Sequence, residues 1–274
     1  MAIKSRAEIA AAAASEGLDA ERLAAVARPA LSLRLTRGPG PIGETKVGGW
    51  PDLAEDEEWP RNQAGVPMMF VAQLATAHLP DLEPADQVWD HRGELVRLFA
   101  DLIDNPYDPG PAIGLATGAA DLRSTPPPDS GPIDDDAVRE LPECLVVSAP
   151  VMTVPGVHPA VGDEDDPWSH PLQDDYDTFL DSIGYHEVES PHQILGWPTQ
   201  VQADPPHTGP YVEEIHNPRQ EPTRAADWRL LLQLHDDDSV GLEILDGGSY
   251  AFLMPAVDLA AGRYSRLACD VDSC

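Results

Sequence analysis

Two hydrophobic patterns open the chain, a helical one followed by an alternating one. Between residues 4 and 27, apolar residues such as Leu18 and Leu23 recur at helical spacing among Ala, Glu and Arg, which favour helices. Gly17 is expected to divide this helix into two pieces. From residue 31 to 36, leucines alternate with polar residues, which is typical of a strand with one buried face.

Two later stretches resemble each other in the order and type of their residues. The first has a Gly-Trp-Pro triplet at 49–51, followed by an apolar run that contains Gln73. The second has the same triplet at 196–198, followed by an apolar run that contains Gln233. A further strand-like segment follows each run. We interpret the pair as an internal duplication with a period of roughly 150 residues; a chance likeness of short apolar strands is the alternative.

The predicted fold class is α+β, with two similar β-rich halves from an internal duplication, preceded by an N-terminal helix. The expected divisions are an N-terminal helical segment at 1–30, a first half at 31–125, a connecting tract at 126–185 and a second half at 186–274. The two halves are expected to form one compact domain. The tract is rich in Pro and Asp, its acidic runs at 134–136 and 163–166 are typical of solvated loops, and one strand is expected at 144–148.

The charge balance excludes two classes of partner. Forty-eight acidic and 17 basic residues give a formal net charge of −31. A protein that binds nucleic acid through its phosphates needs a basic stripe, and a membrane-surface helix needs Lys or Arg on its polar face. We therefore expect neither nucleic acid nor membrane as a partner, and the charge favours a basic protein partner.

Cysteine usage and hydropathy favour a cytoplasmic location. The three cysteines form no CxxC pair, and no stretch approaches the roughly 18 apolar residues that would span a bilayer. The alanine-rich start lacks the long apolar region and the cleavage site of a signal peptide. Cys269 and Cys274 lie five residues apart and are able to pair on oxidation.

Motifs that would indicate catalysis or metal binding fail on spacing. The glycine-rich stretch at 38–46 has Glu rather than Lys after Gly43, and its two prolines lack the N–H donors that a phosphate needs. The His-Glu pair at 186–187 has no second His at the zinc-protease spacing, and the Asp run at 236–238 lacks the later ligands of a calcium loop. We predict no catalytic residue, no metal ligand and no cofactor, and we lean against an enzyme.

Five residues in and around the two triplets are candidates for binding. Lys46 is one of only two lysines and lies three residues before the first triplet, where a compact charge is useful; an exposed loop lysine is the alternative. Trp50 and Trp197 present large apolar surfaces, which would either pack over the end of a sheet or form a ligand or partner surface. Gln73 and Gln233 are expected to hydrogen-bond to loop backbone.

Several ordered blocks of the chain resemble the YwqG-like family, a bacterial domain-of-unknown-function family. These blocks lie at 46–53, 59–60, 67–74, 192–198 and 228–234, and the resemblance covers most of residues 31–270. It implies an α+β protein built from two similar β-rich halves, with no established catalytic residues. It also implies a relation, for part of the family, to immunity-type proteins that accompany secreted bacterial toxins.

The expected function is that of a non-enzymatic binding protein, of immunity or adaptor type, that recognises a protein partner. The alternative is a small-molecule or metal-dependent enzyme whose site lies between the two halves. The candidate ligand- or partner-binding residues are Lys46, Gly48, Gly49, Trp50, Gln73, His192, Gln193, Gly196, Trp197 and Gln233. The sequence leaves the oligomeric state open.

Overall fold

The fold is known from a computed structural model, which describes residues 5–79, 89, 93–102, 109–128, 140–160, 171–185, 192–199, 205–216 and 223–273. Two helices open the described chain, α1 (Arg6–Ser15) and α2 (Ala20–Val26). Their first turns are capped by Ser5 and Asp19, whose side chains accept backbone hydrogen bonds. Gly17, with φ of +77°, lies between them, so the predicted division of this helix is confirmed.

Ten strands close into an antiparallel barrel, and two more form a small separate sheet. The strands are β1 (Arg28–Arg37), β2 (Lys46–Val47), β3 (Asp52–Ala54), β4 (Met69–Ala75), β5 (Leu95–Ala100), β6 (Gly110–Thr117), β7 (Leu122–Ser124), β8 (Cys144–Thr153), β9 (Gln193–Leu195), β10 (Trp228–His235), β11 (Ser249–Pro255) and β12 (Leu267–Asp272). Around the barrel the order is β1-β8-β2-β4-β5-β6-β12-β11-β10-β9, and β9 pairs again with β1. Strands β3 and β7 form the two-stranded sheet.

The barrel interior is one apolar core to which strands from the whole chain contribute. On β1, the predicted alternation is confirmed, because Leu31, Leu33 and Leu35 are buried and the residues between them are exposed. Leu98 of β5 and Leu232 of β10 belong to the same core. Since inward and outward side chains alternate, polar residues between these leucines must lie on the outside of the barrel.

Three further helices and two apolar clusters cover parts of the outer barrel surface. Helices α3 (Pro171–Ser182), α4 (Pro205–His216) and α5 (Ala256–Ala260) follow in chain order. Tyr176 and Phe179 of α3 pack with α1 and α2. Val212 of α4 packs on Trp228 and neighbouring outward residues of β10 and β11. None of the described helices is both long and apolar enough to cross a bilayer.

The predicted fold class is wrong. The protein is mostly β, with 23% helix and a closed ten-strand barrel, and it is not a helix-preceded α+β fold of two halves. The reason is that the predicted halves are joined at both edges. On one side β6 pairs with β12, and on the other β8 and β1 connect β2 to β9. Strands of both predicted halves therefore enclose one interior. Local strand patterns carry no information on this closure.

Some predictions fall on residues that the structure does not describe, or are not decided by it. The acidic runs at 134–136 and 163–166 lie outside the described residues, as does Cys274. Cys269 is a free cysteine in the core, and its burial raises the pKa of its thiol. The predicted domain boundaries stay predictions.

Candidate functional site

The two Gly-Trp-Pro triplets form backbone corners with the same conformation. At the first corner, residues 48–51, Gly48 and Gly49 have φ of +64° and +66°. At the second corner, residues 195–198, Leu195 and Gly196 have φ of +60° and +81°. A Cβ atom on Gly48 would lie 2.3 Å from the Pro142 carbonyl oxygen, so glycine is required there for space as well as for its backbone freedom.

At the first corner, the lysine is buried and neutralised. Lys46 is 2% exposed, and its Nζ lies 3.1 Å from Asp52 Oδ1 and 3.3 Å from Glu143 Oε1. The fully buried Asp52 also accepts hydrogen bonds at Oδ2 from Gly43 N, at 2.7 Å, and from Gln73 Nε2, at 2.6 Å. These contacts satisfy the Lys46 charge within the protein, and the lysine does not present a free charge to a ligand.

Gln73 braces the loops around the first corner, as expected from the sequence. Its Oε1 accepts from Asp52 N at 3.0 Å, and its Nε2 also donates to the Glu44 carbonyl at 2.8 Å. Strand register places Lys46, Gln73 and Arg97 side by side on the outer face. Arg97 is buried against Glu57, and this burial lowers the pKa of its guanidinium.

Trp50 points away from this cluster and is the more exposed of the two corner tryptophans. It is 40% exposed, and its indole Nε1 donates to Glu140 Oε1 at 3.4 Å. Trp197 is only partly exposed, and its Nε1 donates to the Val26 carbonyl at 2.8 Å. The second tryptophan therefore connects its corner to the end of α2.

The glutamines of the second corner have the same structural task. Gln233 holds Thr199 in both directions, with its Oε1 accepting from Thr199 N at 2.8 Å and its Nε2 donating to the Thr199 carbonyl at 2.7 Å. Gln193 donates from Nε2 to the Trp197 carbonyl at 2.5 Å. Like Gln73, both side chains bond to backbone that they position.

His192 is a buried hydrogen-bonding residue at the start of β9. Its Nδ1 accepts from His235 N at 3.1 Å, so the ring proton is assigned to Nε2, which donates to Asp237 Oδ2 at 3.2 Å. Burial lowers the pKa of His192, although the Asp237 carboxylate acts in the opposite direction. The ring is thus neutral near pH 7, and both its nitrogens are used within the protein.

The ten candidate residues do not converge on one site. Lys46 and Gln73 belong to the cluster at the first corner, whereas His192, Gln193 and Gln233 lie near the second. Strands β8 and β1 lie between β2 and β9. Three strand spacings of about 4.8 Å separate β2 from β9, and the glutamines lie on the outer face. An enzyme site between the two halves would have used Lys46, Gln73, His192 and Gln233, and these side chains do not meet around one reacting atom.

A cavity beside the second corner holds three arginines that the sequence analysis missed. It has a volume of about 460 Å³ and opens between α1, the end of α2, the start of β1 and the second corner. We call it the arginine pocket; its lining residues are Arg6, Ala25, Val26, Ala27, Arg28, Pro29, Leu195, Gly196, Trp197, Arg229, Leu230 and Leu259. Of the ten candidates, only Gly196 and Trp197 line it.

Arg28 stacks on Trp197 inside the arginine pocket. Its guanidinium carbon lies 3.4 Å from the centroid of a Trp197 ring, a cation–π geometry. The corner is fixed to the same strand by Thr153, whose Oγ1 accepts from Trp197 N at 2.9 Å and donates to the Arg28 carbonyl at 3.1 Å. Within the described part of the chain, no hydrogen bond or ion pair engages the Arg28 guanidinium.

The other two arginines are held by backbone carbonyls. Arg229 donates from one guanidinium nitrogen to the carbonyls of Ala226 and Trp228, each at 2.7 Å. Arg6 donates to the carbonyls of Ala24 and Ala27 at 2.9 and 2.5 Å, which ties α1 to the end of α2. These contacts orient the two side chains, and at Arg229 the carbonyl dipoles do not cancel the full positive charge.

The electrostatics of the arginine pocket differ from those of the chain as a whole. Burial, and secondarily the like charge of Arg229, lower the pKa of Arg28. Burial also lowers the pKa of Arg229, although the Asp227 carboxylate acts in the opposite direction. The described lining residues include no carboxylate, histidine, cysteine or hydroxyl side chain. The arrangement can bind an anion, and its lining offers no nucleophile and no general base.

A sequence signal for this pocket is weak. Arg28 immediately precedes the alternating strand and Arg229 follows the tryptophan that begins an apolar run, but nothing in the local pattern connects them. They meet because β1 and β10 both pair with β9. Among the residues that the structure describes, no three His, Cys, Asp or Glu side chains are grouped to hold a metal ion.

Comparison with known proteins supports a family but no activity. A search of the curated proteins finds no match. A family model described as a domain of unknown function, DUF1963, matches residues 45–274. The match begins next to Lys46, includes both corners and Arg229, and leaves Arg6 and Arg28 in the segment before it. Because the match covers well over half of the chain, the protein belongs to this domain family of unknown function, DUF1963.

Proposed function

We propose that the protein is a non-enzymatic binding protein, and that it holds an anionic group of its ligand in the arginine pocket. One observation carries the proposal: two partly buried guanidinium groups, Arg28 and Arg229, line a cavity whose described walls contain no acidic side chain. Buried charges are normally paired with an opposite charge. An anionic ligand would supply the charge that the protein does not.

The net charge of the chain makes this local arrangement more informative. With a formal charge of −31, the protein repels anions at long range, so an anion is retained only where cations are concentrated at short range. Only 17 of the residues are Lys or Arg, and three of those line one cavity. The absence of a nucleophile or general base among the described lining residues favours binding over catalysis.

Three narrower hypotheses stay predictions. A basic protein partner rests on the net charge alone. An immunity or adaptor role and membership of the YwqG-like family rest on the resemblance of the sequence blocks. An anion site and an acidic outer surface are compatible, because they would engage different parts of a ligand or partner.

The proposal is tested by the thermal unfolding midpoint at constant ionic strength, with chloride exchanged stepwise for phosphate. A ligand that binds only the folded state raises the midpoint with its concentration. Phosphate also stabilises proteins by exclusion from their surfaces, so the comparison of variants decides the test. We expect phosphate to raise the midpoint of the wild type and of Arg34→Gln more than that of Arg229→Gln.

Arg34 is the matched control because it is an exposed arginine on the outward side of β1. The Arg34→Gln and Arg229→Gln variants carry the same change in net charge, so a difference between them reports the pocket. If phosphate raises all three midpoints equally, the proposed function is wrong.

A further inference from the structure

We infer that the anionic group in the arginine pocket is the doubly charged phosphate of a small organic monoester with an apolar body. This inference rests on the proposed function, since it names the ligand of the same site. Three features support it: the geometry of Arg28 on Trp197, the pairing of two positive charges, and the composition of the remaining wall.

The stacked position of Arg28 leaves the edge of its guanidinium available to a ligand. Stacking on Trp197 at 3.4 Å occupies a face of the planar group, not its N–H edge. A guanidinium edge presents two parallel N–H donors, which match two oxygens of a phosphate or carboxylate. The stack and the Thr153 bridge fix this edge before a ligand arrives, which reduces the entropy lost on binding.

The number of charges distinguishes a phosphate from a carboxylate. Arg28 and Arg229 are close enough for the charge of one to disfavour the charge of the other. The Asp227 carboxylate favours the charge of Arg229, but Asp227 is exposed, lies outside the lining and forms no ion pair with Arg229 in the described part of the chain. A carboxylate would balance one guanidinium and leave the second unpaired. A phosphate monoester carries nearly two negative charges at neutral pH and has three acceptor oxygens, so it is able to engage both groups.

The rest of the wall indicates what the phosphate is attached to. The volume of about 460 Å³ is that of a small-molecule site and exceeds what a phosphate group alone would fill. Beyond the arginines, the lining is apolar, with Val26, Pro29, Leu195 and Leu259 among its residues. An apolar body on the ligand would bury these side chains, at a gain of about 25 cal/mol per Å².

The closing experiment is isothermal titration calorimetry at pH 7.5 and fixed ionic strength with three probes: phenyl phosphate, phenyl sulfate and inorganic phosphate. Phenyl sulfate has the shape of phenyl phosphate with one negative charge fewer. We expect phenyl phosphate to bind about tenfold more tightly than phenyl sulfate, the equivalent of one charge-assisted hydrogen bond. Inorganic phosphate, which lacks the ring, is expected to bind about tenfold more weakly than phenyl phosphate.

Two substitutions localise the binding. Arg229→Gln is expected to lower the affinity for phenyl phosphate about tenfold and to remove its preference over phenyl sulfate. Arg34→Gln is expected to leave both affinities within a factor of two, because Arg34 is exposed on β1. An independent readout is hydrogen exchange: phenyl phosphate should slow exchange at 6–27, since Arg6 ties α1 to α2 at the pocket.

The outcomes separate this inference from the proposed function. Equal affinities for phenyl phosphate and phenyl sulfate, both lowered by Arg229→Gln, would overturn the phosphate assignment and support an anion pocket. Equal affinities for phenyl phosphate and inorganic phosphate would overturn the apolar body. Binding that Arg229→Gln leaves unchanged, or no binding of any probe, would overturn both the inference and the proposed function.

Discussion

The two corners both have two successive residues with positive φ and a glutamine that bonds to nearby backbone. The first corner has a neutralised cation packed beside it, whereas the second borders an open cavity. At the first corner, the cation Lys46 is buried between Asp52 and Glu143, and its charge is used within the protein. At the second corner, Arg28 and Arg229 line a cavity without a carboxylate among the described residues. The same turn is thus a structural joint in one place and a wall of an open cavity in the other, depending on what packs beside it.

The largest expected effect is the loss of the buried lysine. Among the residues that the structure describes, Lys46 is the one ion-pair partner of the fully buried Asp52, so Lys46→Met leaves that carboxylate uncompensated. Breaking a buried pair in this way costs about 3–5 kcal/mol of unfolding free energy. Urea denaturation at pH 7 measures the loss.

The matched change at the second corner sharpens the contrast. Arg229→Met removes one of the like charges that line the pocket, and the carboxylate that acts on it, Asp227, is exposed and stays hydrated. The free energy of unfolding is therefore expected to change by about 0.5 kcal/mol or less. Losses of equal size at Lys46 and Arg229 would show that both corners depend on their cations for stability. That result would contradict the contrast drawn between the two corners.

The second effect in size is a pH dependence at the second corner. His192 accepts from His235 N, whereas at the first corner Thr45 Oγ1 accepts from Ala75 N at the corresponding place, 2.9 Å away. Burial, and then the nearby His192, lower the pKa of His235 from 6.5 to about 4, with Asp272 acting in the opposite direction. Below pH 6.5 the unfolded chain therefore binds a proton that the folded chain does not, and stability falls as the pH falls towards 4.

His235→Gln tests this dependence. Between pH 7 and pH 5 the wild type should lose about 2 kcal/mol more unfolding free energy than the variant, at about 1.4 kcal/mol per pH unit for one proton. Urea denaturation of both proteins at pH 7, 6 and 5 measures the difference. Parallel pH profiles would mean that His235 is not held neutral by the fold.

The smallest effect concerns the two glutamine braces. Gln73→Leu leaves the buried Asp52 without two hydrogen bonds, while Gln233→Leu frees only the backbone of the partly exposed Thr199, which water is able to reach. We expect the Gln73 variant to be less stable than the Gln233 variant by about 1 kcal/mol. Thermal midpoints of the two single variants decide this; the reverse order would contradict it.

Local features of the fold could be predicted from the sequence, and distant pairings could not. The helix break at Gly17, the alternation on β1 and a strand beginning at Cys144 follow from neighbouring residues alone. Helix α4 could not be recognised, because it contains Pro210 and is stabilised by packing on Trp228. Barrel closure depends on pairings between strands far apart in the chain, which no local period encodes.

The same distinction applies to the candidate site. The sequence singles out Lys46 as an unusual cation, but its partner Glu143 lies 97 residues away, so the neutralisation of its charge cannot be read from the neighbouring residues. Trp197 was a candidate for its aromatic surface, and the arginines that give this surface an electrostatic role come from β1 and β10. Charge counted along the whole chain concealed a small region of opposite sign.

Strand β1 has a consequence for how the protein is made. It is synthesised before both of its partner strands: Thr153 of β8, which bonds to the Arg28 carbonyl, follows 125 residues later, and β9 later still. During synthesis both edges of β1 are therefore unpaired, and its leucines are exposed because the core has not formed. An unpaired strand edge is able to pair with strands of other chains and so to aggregate. The alternating polar face of β1, with Arg34 exposed, keeps one side of the waiting strand hydrated. The barrel is therefore unable to close around β1 until both β8 and β9 have been synthesised.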